Sequence, residues 1–313
     1  MFWVIISTVG FEFGIVFNNA MLPDLVAEER LGRWSGWAWG LGYLGGLSAM
    51  IIALLGFVQA ETPLFGLDKE NLEHIRVVGP LVAIWFLAFV WPMFMWTPDR
   101  AKSSASLGEK VSSGFSQLGR TLKSLKDHRN VLKFLIARMI YADGLATMFA
   151  FGGIYAAGTF GMELSEVITF GIILNVTAGI GAICFAWIDD WIGSKPTIII
   201  SLVGLIITAF GVIIVEDISW FWVWGSLLGI FVGPSQAASR SLMARLAPEG
   251  QTTEFFGLYA LTGKATAFLG PFLVAVVTAG MSSQRWGLAV VLVFFVIGLG
   301  LLLTVHDPKR DVA

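Results

Sequence analysis

Four charged residues interrupt long apolar runs in this sequence: Glu12, Arg138, Asp143 and Lys264. An ionised side chain inside a bilayer's hydrocarbon core is costly and usually belongs to a binding site or a proton pathway. At about 1.5 Å of rise per residue, Glu12, Asp143 and Lys264 lie about 15–18 Å inside their runs, near the bilayer midplane. Arg138 lies about 10 Å deep. The pattern predicts a site for a small solute or a proton.

Each of these residues also has a structural interpretation. Asp143 and Lys264 form either an ion pair that locks two helices together or a substrate or proton site, and a pair that breaks on protonation would do both. Glu12, with Asn19 further along the same run, is either a proton-titrating acid or a buried acid bonded to neighbouring backbone. Arg138 is interpreted as an anchor that reaches the membrane interface.

The elements that must hold these residues are membrane-spanning helices. The sequence is 56% hydrophobic and 13% charged, whereas a soluble domain has about 25% charged residues. The chain is therefore predicted to be an all-α, polytopic integral membrane protein. Crossing ~30 Å of hydrocarbon takes about 20 residues. Apolar runs of that length occur nine times, at roughly 1–23, 34–59, 77–97, 131–159, 165–188, 196–215, 219–238, 255–280 and 286–305.

The sequence lacks the residue patterns that several kinds of chemistry require. Cys184 is the single cysteine and the three histidines are scattered, which leaves no cluster for a metal. Neither a GxxxxGK[ST] phosphate loop nor a GxSxG nucleophile turn occurs. We therefore expect no enzyme, no ATP-driven pump, no cofactor and no nucleic-acid partner. The expected partners are the lipid bilayer, a small-molecule substrate and coupled protons.

The basic residues indicate the orientation, because cytoplasmic loops carry an excess of Lys and Arg. Lys69, Arg76 and Arg285 fall on one side of the predicted spans. The other side carries Arg30, Arg33, Arg100, Lys102, Lys110, Arg120, Lys123, Lys126, Arg129, Lys133, Lys195, Arg240, Arg245, Lys309 and Arg310. This predicts a cytoplasmic C-terminus, Met1 outside, and a location in the cell (inner) membrane.

The basic segment 98–130 separates the predicted spans into three before it and six after it. The sequence predicts an incomplete N-terminal bundle (1–97), a cytoplasmic linker (98–130) and a C-terminal six-helix bundle (131–313). The linker contains a helical stripe of Val111, Phe115, Leu118, Leu122 and Leu125. Its basic face is predicted to lie on anionic headgroups, with a protein partner as the alternative.

A weak internal repeat relates the two halves at an offset of 221 residues. It places Leu25, Glu28, Gly36 and Gly42 on Leu246, Glu249, Gly257 and Gly263. Such repeats are typical of transporters built from related halves. Since the second half has six predicted spans and the first only three, we expect the chain to be a truncated or mis-started form of a twelve-helix protein.

The stretch Ala186–Lys195 resembles the loop signature of the major facilitator superfamily. Asp190, Gly193 and Lys195 match the signature, whereas Ala186 and Trp191 depart from it. The resemblance implies that the loop carboxylate and base hold helices together on the cytoplasmic side in one transport state. We group the basic residues Arg240 and Arg245 with this predicted gate. The alternative is an ordinary basic turn.

Longer blocks of the sequence carry a more specific resemblance. They are Gly10-Phe11-Glu12-Phe13 with Asn19 and Leu22-Pro23, Gly32-Arg33 with Ser35-Gly36, the run Gly40–Gly46, Asp143-Gly144 with Thr147, and the block Ser239 to Pro271. These blocks resemble the vacuole-effluxer-like branch of that superfamily, from its fourth helix to its twelfth. The resemblance implies the major facilitator fold, secondary transport by alternating access, and amino-acid efflux. The alternative function is a non-transporting membrane scaffold or sensor.

Glycines in the second predicted span have the spacing that allows helices to approach closely. Gly36 and Gly40 form one such pair, and Gly42 and Gly46 form another. Close packing is the expected role, and a hinge for alternating access is the alternative.

Overall fold

The computed structural model describes residues 2–97 and 107–307, without the side chains of 107–113, 115 and 118. Arg100, Lys102, Lys309 and Arg310, which enter the orientation argument, lie outside this part. Regular structure within it is helical, in twelve α-helices: α1 (Phe2–Leu25), α2 (Leu31–Ala53), α3 (Glu73–Arg76), α4 (Val78–Trp96), α5 (Leu107–Ser124), α6 (Arg129–Phe160), α7 (Leu164–Ile192), α8 (Ser194–Ile214), α9 (Ile218–Leu246), α10 (Thr252–Ala265), α11 (Leu269–Met281) and α12 (Gln284–Leu303).

Nine helical segments within residues 2–97 and 107–307 are long and apolar enough to cross a membrane. Each falls on one of the predicted apolar runs, so the all-α polytopic prediction is confirmed. Six of them are single helices, and the other three combine elements. These three are α2 with its flanking turns (Glu28–Val58), α3 with α4 (Glu73–Trp96), and α10 with α11 (Thr252–Met281).

The chain packs as two compact units. One unit comprises Met1–Leu41 and Gln117–Ala313, and the other comprises Gly42–Ser116. The first contains α1, the start of α2 and the helices from α6 onward. The second contains the rest of α2 with α3 and α4. These units do not test the three-part division predicted from the sequence, which stays a prediction.

Helix α9 is longer than its predicted apolar run. It begins after Asp217, whose carboxylate accepts hydrogen bonds from the backbone N–H of Ser219 (2.7 Å) and Trp220 (3.3 Å). These bonds lower the pKa of the Asp217 carboxyl. The helix continues to Leu246, about two turns past the predicted end at position 238. Arg240 and Arg245 therefore lie within α9, beyond the predicted apolar run.

The crossing of α7 and α9 depends on glycine. A Cβ added at Gly181 would lie 1.9 Å from the carbonyl oxygen of Ile230, and one at Gly233 would lie 2.1 Å from that of Ala178. Both neighbouring atoms belong to the backbone, so neither glycine position has room for a side chain. Small residues allow membrane helices to reach such contact, and here they fix α9 against α7.

Lys195 holds the end of α12. Its Nζ donates to the carbonyl oxygens of Leu303 (3.2 Å) and Val305 (2.5 Å). The last carbonyls of a helix lack partners in the helix itself, and a cation there is favourable. Asn130 adds a reciprocal pair of hydrogen bonds with the backbone of His306. Lys195 therefore caps α12, and its predicted part in the gate stays a prediction.

The span from Thr252 to Met281 is broken in its middle. Helix α10 ends at Ala265 and α11 begins at Leu269, with Thr266 at φ −112° and ψ 5° between them. Pro271 follows early in α11, where its ring would clash with the carbonyl group of the residue four positions before it in a continuous helix. The break places Lys264 in the last turn of α10 instead of mid-helix.

We predict that Gly181→Ala destabilises the protein by about 1–3 kcal/mol, because the new methyl group would overlap backbone of α9. Gly171→Ala in the same helix is the matched control, since a Cβ at Gly171 meets no atom of the described residues within 4 Å. The measurement is the thermal unfolding midpoint in detergent. Equal midpoints for the two variants would contradict the close crossing.

Candidate functional site

Glu12 and Lys264 form an ion pair between α1 and α10. Lys264 Nζ lies 2.9 Å from Glu12 Oε1. The Lys264 side chain is 66% exposed and the Glu12 side chain 32% exposed, so the pair is accessible and not sealed in a core. The pair brings together one charge from each predicted half. An accessible ion pair of this kind can exchange a partner with an incoming charged solute.

Asp143 does not pair with Lys264, and that part of the prediction was wrong. Lys264, in the last turn of α10, pairs with Glu12 on α1, whereas the backbone of Asp143 on α6 lies beside Gly270 of α11. Glu12 is therefore neither an isolated acid nor bonded to neighbouring backbone, because its partner is Lys264.

Asp143 is buried, with 2% of its surface exposed. Its backbone carbonyl accepts a 2.6 Å hydrogen bond from the Thr147 hydroxyl. That hydroxyl would lie 1.7 Å from a Cβ added at Gly270, so α11 contacts α6 closely here. The Thr266 hydroxyl at the helix break lies beside the Asp143 carboxyl, outside hydrogen-bond geometry. Within the described residues, Asp143 Oδ1 and Thr266 Oγ1 have no hydrogen-bond partner.

Arg138 contacts α10. Its Nη1 donates to the carbonyl oxygen of Tyr259 at 2.6 Å, and its guanidinium carbon lies 3.4 Å from the centre of the Tyr259 ring. A guanidinium over an aromatic face is a favourable cation–π contact. The charged group of Arg138 is therefore engaged by a neighbouring helix, and its role as an interfacial anchor stays a prediction.

Several contacts join the halves at the end of the spans where α2, α8 and α10 begin, which we call the basic end. The backbone N–H of Arg33 donates to Asp190 Oδ1 at 3.1 Å, and the side-chain Nε of Arg33 lies 3.4 Å from Asp190 Oδ2. A Cβ at Gly32 would lie 2.5 Å from Asp189 Cγ. The start of α2 therefore lies directly on the end of α7, with Asp190 as its counter-charge.

Arg240 makes the most buried of these contacts. It is 7% exposed. Its Nε donates to Ser35 Oγ (2.9 Å), its Nη2 to the Ser35 carbonyl (2.8 Å) and its Nη1 to Asn19 Oδ1 (3.3 Å). Ser35 in turn donates to the Ala237 carbonyl at 2.7 Å. Asn19 and Arg240 are 221 residues apart, so they occupy equivalent positions of the predicted repeat. In this structure Asn19 accepts a hydrogen bond from Arg240.

A second buried polar group lies beside the loop after α7. Asp189 is 2% exposed and accepts a 2.6 Å hydrogen bond from the Ser194 hydroxyl. Arg245 Nε donates to that hydroxyl at 3.3 Å. Gly193 has φ 100°, a conformation that favours glycine. Sequence reasoning missed Asp189, Ser194 and the role of Ser35, although Ser35 lies within a resembling block and Asp189 adjoins Asp190.

The glycines of α2 differ in their surroundings. A Cβ at Gly36 would lie 2.5 Å from the Ala182 carbonyl, and one at Gly40 would lie 2.4 Å from Ile183 Cγ1. These two glycines therefore allow α2 to approach α7. At Gly42 and Gly46 a Cβ would meet nothing within 4 Å among the described residues, and close packing at this pair stays a prediction.

A separate cavity of about 240 Å³ lies among α6, α7, α8, α9 and α12. Its lining is largely apolar, and its Asn175 amide already donates to the Gly171 carbonyl at 2.8 Å. None of the charged residues predicted from the sequence lines it. The charged candidates instead lie at the Glu12–Lys264 pair, at the basic end, at the contact of Arg138 with Tyr259, and at the buried Asp143.

Comparison with known families gives one extended match. The family described as "Vacuole effluxer Atg22 like" matches residues 29–312. The matched region includes Lys264 and most of the contacts at the basic end, and it begins after Glu12 and Asn19.

Similar proteins include a bacterial and several fungal ones. The uncharacterized MFS-type transporter YxiO of Bacillus subtilis is 26% identical over 98% of this chain and 71% of its own length. Autophagy-related protein 22 of Coccidioides immitis is 26% identical over 87% of this chain and 48% of its own length. The chain thus spans about half the length of such fungal relatives.

A solved structure shares the architecture. A variant of the E. coli fucose:proton symporter FucP superposes with a TM-score of 0.70 over 93% of this chain and 73% of its own, at 13% identity. A second FucP structure, in the outward conformation, has the same TM-score at 14% identity. The chain therefore has the major facilitator fold.

We predict that Ser35→Ala lowers stability by about 1–3 kcal/mol, because it removes the hydroxyl between Arg240 and the Ala237 carbonyl and leaves buried groups unpaired. Ser48→Ala in the same helix is the control, since the exposed Ser48 hydroxyl donates only to the Leu44 carbonyl. Unfolding midpoints in detergent measure both. A midpoint for Ser35→Ala equal to that of the control would exclude a stabilising role for this contact.

Proposed function

Because the chain belongs to the Atg22-like vacuole effluxer family, we propose that it moves a small solute across the membrane by alternating access. The observation that carries the proposal is the ion pair between Glu12 and Lys264. It joins a helix of each half near mid-span, where transporters of related halves bind their substrates. It also adjoins the break between α10 and α11, another feature of such sites.

The contacts at the basic end supply the gate. Arg33 with Asp190, and Arg240 with Ser35 and Asn19, join α1 and α2 to α7 and α9. These contacts must separate before a solute at the Glu12–Lys264 pair can leave through the basic end. In the proposed cycle, these contacts belong to the state in which this end is closed. Because the excess of Lys and Arg lies here, we assign this end, with the C-terminus, to the cytoplasm of the inner membrane.

The charges favour a zwitterionic solute, and with the family resemblance they favour amino-acid efflux. Glu12 and Lys264 pair with each other in the structure. An amino acid brings an ammonium for Glu12 and a carboxylate for Lys264, so both charges stay paired when their direct contact opens. A solute with one charge would leave the other side chain unpaired, which is costly at this depth.

Asp143 is the proposed proton-coupling residue. It is buried, and its Oδ1 lacks a hydrogen-bond partner among the described residues. Thr147 holds the Asp143 backbone, and Thr266 lies at the broken helix beside the carboxyl. Protonation of Asp143 would thus change the contact between α6 and the segment that follows Lys264.

Lys264→Ala should reduce efflux of radiolabelled neutral amino acids from proteoliposomes about tenfold or more, because one charge-assisted contact to the solute is lost. The protein should still insert in the membrane. The matched control is Lys69→Ala, which removes an exposed lysine outside the spans and should leave efflux unchanged. Wild-type efflux in Lys264→Ala would exclude this residue from the solute site.

Removing the charges of Glu12 and Lys264 singly and together distinguishes their role in solute binding from their role in stability. Glu12→Gln and Lys264→Gln should each lower the unfolding midpoint, because each leaves one charge unpaired. The double variant should recover most of that loss, since no unpaired charge remains, yet it should still not transport. Additive losses in the double variant would show that the two side chains do not interact in solution.

A further inference from the structure

Helix α5 and the turn after it lie against the start of α10. Glu254 in the first turn of α10 accepts hydrogen bonds from the Gln117 amide and from the Thr121 hydroxyl (2.6 Å). Thr121 is 3% exposed and Leu125 is 8% exposed. Residues 117, 121 and 125 follow one another at four-residue intervals, so they form one face of a helical turn. This face is occupied by the rest of the protein.

The opposite side of this segment is basic and exposed. Arg120, Lys123, Lys126 and Arg129 are all exposed, and within the described residues no ion pair or hydrogen bond engages their charged groups. Asp127 is the one acid between positions 117 and 129. Four positive charges against one negative charge therefore face outward from residues 120–129, a surface we call the linker patch.

The linker patch lies at the depth of lipid headgroups. Helix α6 begins at Arg129 and α10 at Thr252, so the segment docked on Glu254 lies where two membrane spans leave the hydrocarbon. Leu122, one position from Thr121 and so about 100° around the helix, is 47% exposed. A basic stripe beside an exposed apolar side chain is the arrangement of a helix lying in a membrane interface.

We propose that the linker patch binds the anionic headgroups of the adjacent lipid leaflet. Phosphate oxygens complement the unengaged ammonium and guanidinium groups, and Leu122 enters the acyl boundary beside them. Each Lys or Arg near an anionic surface strengthens association roughly fivefold. The hydrogen bonds to Glu254 then connect a lipid-bound segment to α10, the helix that carries Lys264. The binding itself does not depend on any transport activity.

The test measures amide hydrogen exchange of residues 117–125 in the full chain. The protein is placed in nanodiscs of phosphatidylcholine alone, or of phosphatidylcholine and phosphatidylglycerol in equal parts. Exchange should slow about fivefold or more with phosphatidylglycerol, and raised salt should reverse the effect. Arg120→Gln/Lys123→Gln should abolish the difference between the two lipids.

Lys69→Gln/Arg76→Gln is the matched control. It removes the same charge from exposed positions outside residues 117–129 and should keep the lipid effect. Exchange in α8 and α9 reports whether each variant is folded. Equal exchange in both lipid compositions would overturn the proposal. Protection by added soluble polyglutamate, with none from phosphatidylglycerol, would also overturn it and would indicate an acidic protein partner.

Discussion

An ionised side chain within a membrane span needs a partner, and this chain supplies the partner from a different span. Lys264 on α10 pairs with Glu12 on α1. Arg240 on α9 is held by Asn19 on α1 and Ser35 on α2. Since an unpaired charge in hydrocarbon is costly, these contacts decide which helices of the two halves lie together.

The two sets of contacts differ in chemistry, and the difference corresponds to their proposed roles. Arg240 is buried and held by three neutral acceptors, so a mobile solute has little access to it. Glu12 and Lys264 carry opposite charges and are accessible, so a solute with both charges can replace each partner with its own group. A buried polar contact suits a gate, and an accessible ion pair suits a site.

The spans could be predicted from the sequence because their length is imposed by the thickness of the bilayer. The partners of the charges could not, because pairing depends on the rotation of each helix about its axis. Lys264 was expected near Asp143, but the break after Ala265 directs it to Glu12. The acceptors of Arg240 could not be predicted because they lie 205 and 221 residues away in the sequence.

The contacts of small polar residues could not be predicted from the sequence either. Ser35 and Ser194 bind the arginines of the basic end, yet a serine in an apolar run most often bonds to its own helix, as Ser48 does. The loop signature pointed to Asp190, which pairs with Arg33. The loop resemblance therefore pointed to a residue that contacts another helix, while the individual partners required the fold.

The central claim is that a solute's two charges replace those of Glu12 and Lys264. The most direct measurement is competition against efflux of a radiolabelled neutral amino acid in proteoliposomes, using the same amino acid, its N-acetyl derivative and its amide. We predict competition by the unmodified amino acid and at least tenfold weaker competition by each derivative, because each leaves one side chain without a charged partner. Equal competition by all three compounds would contradict the account.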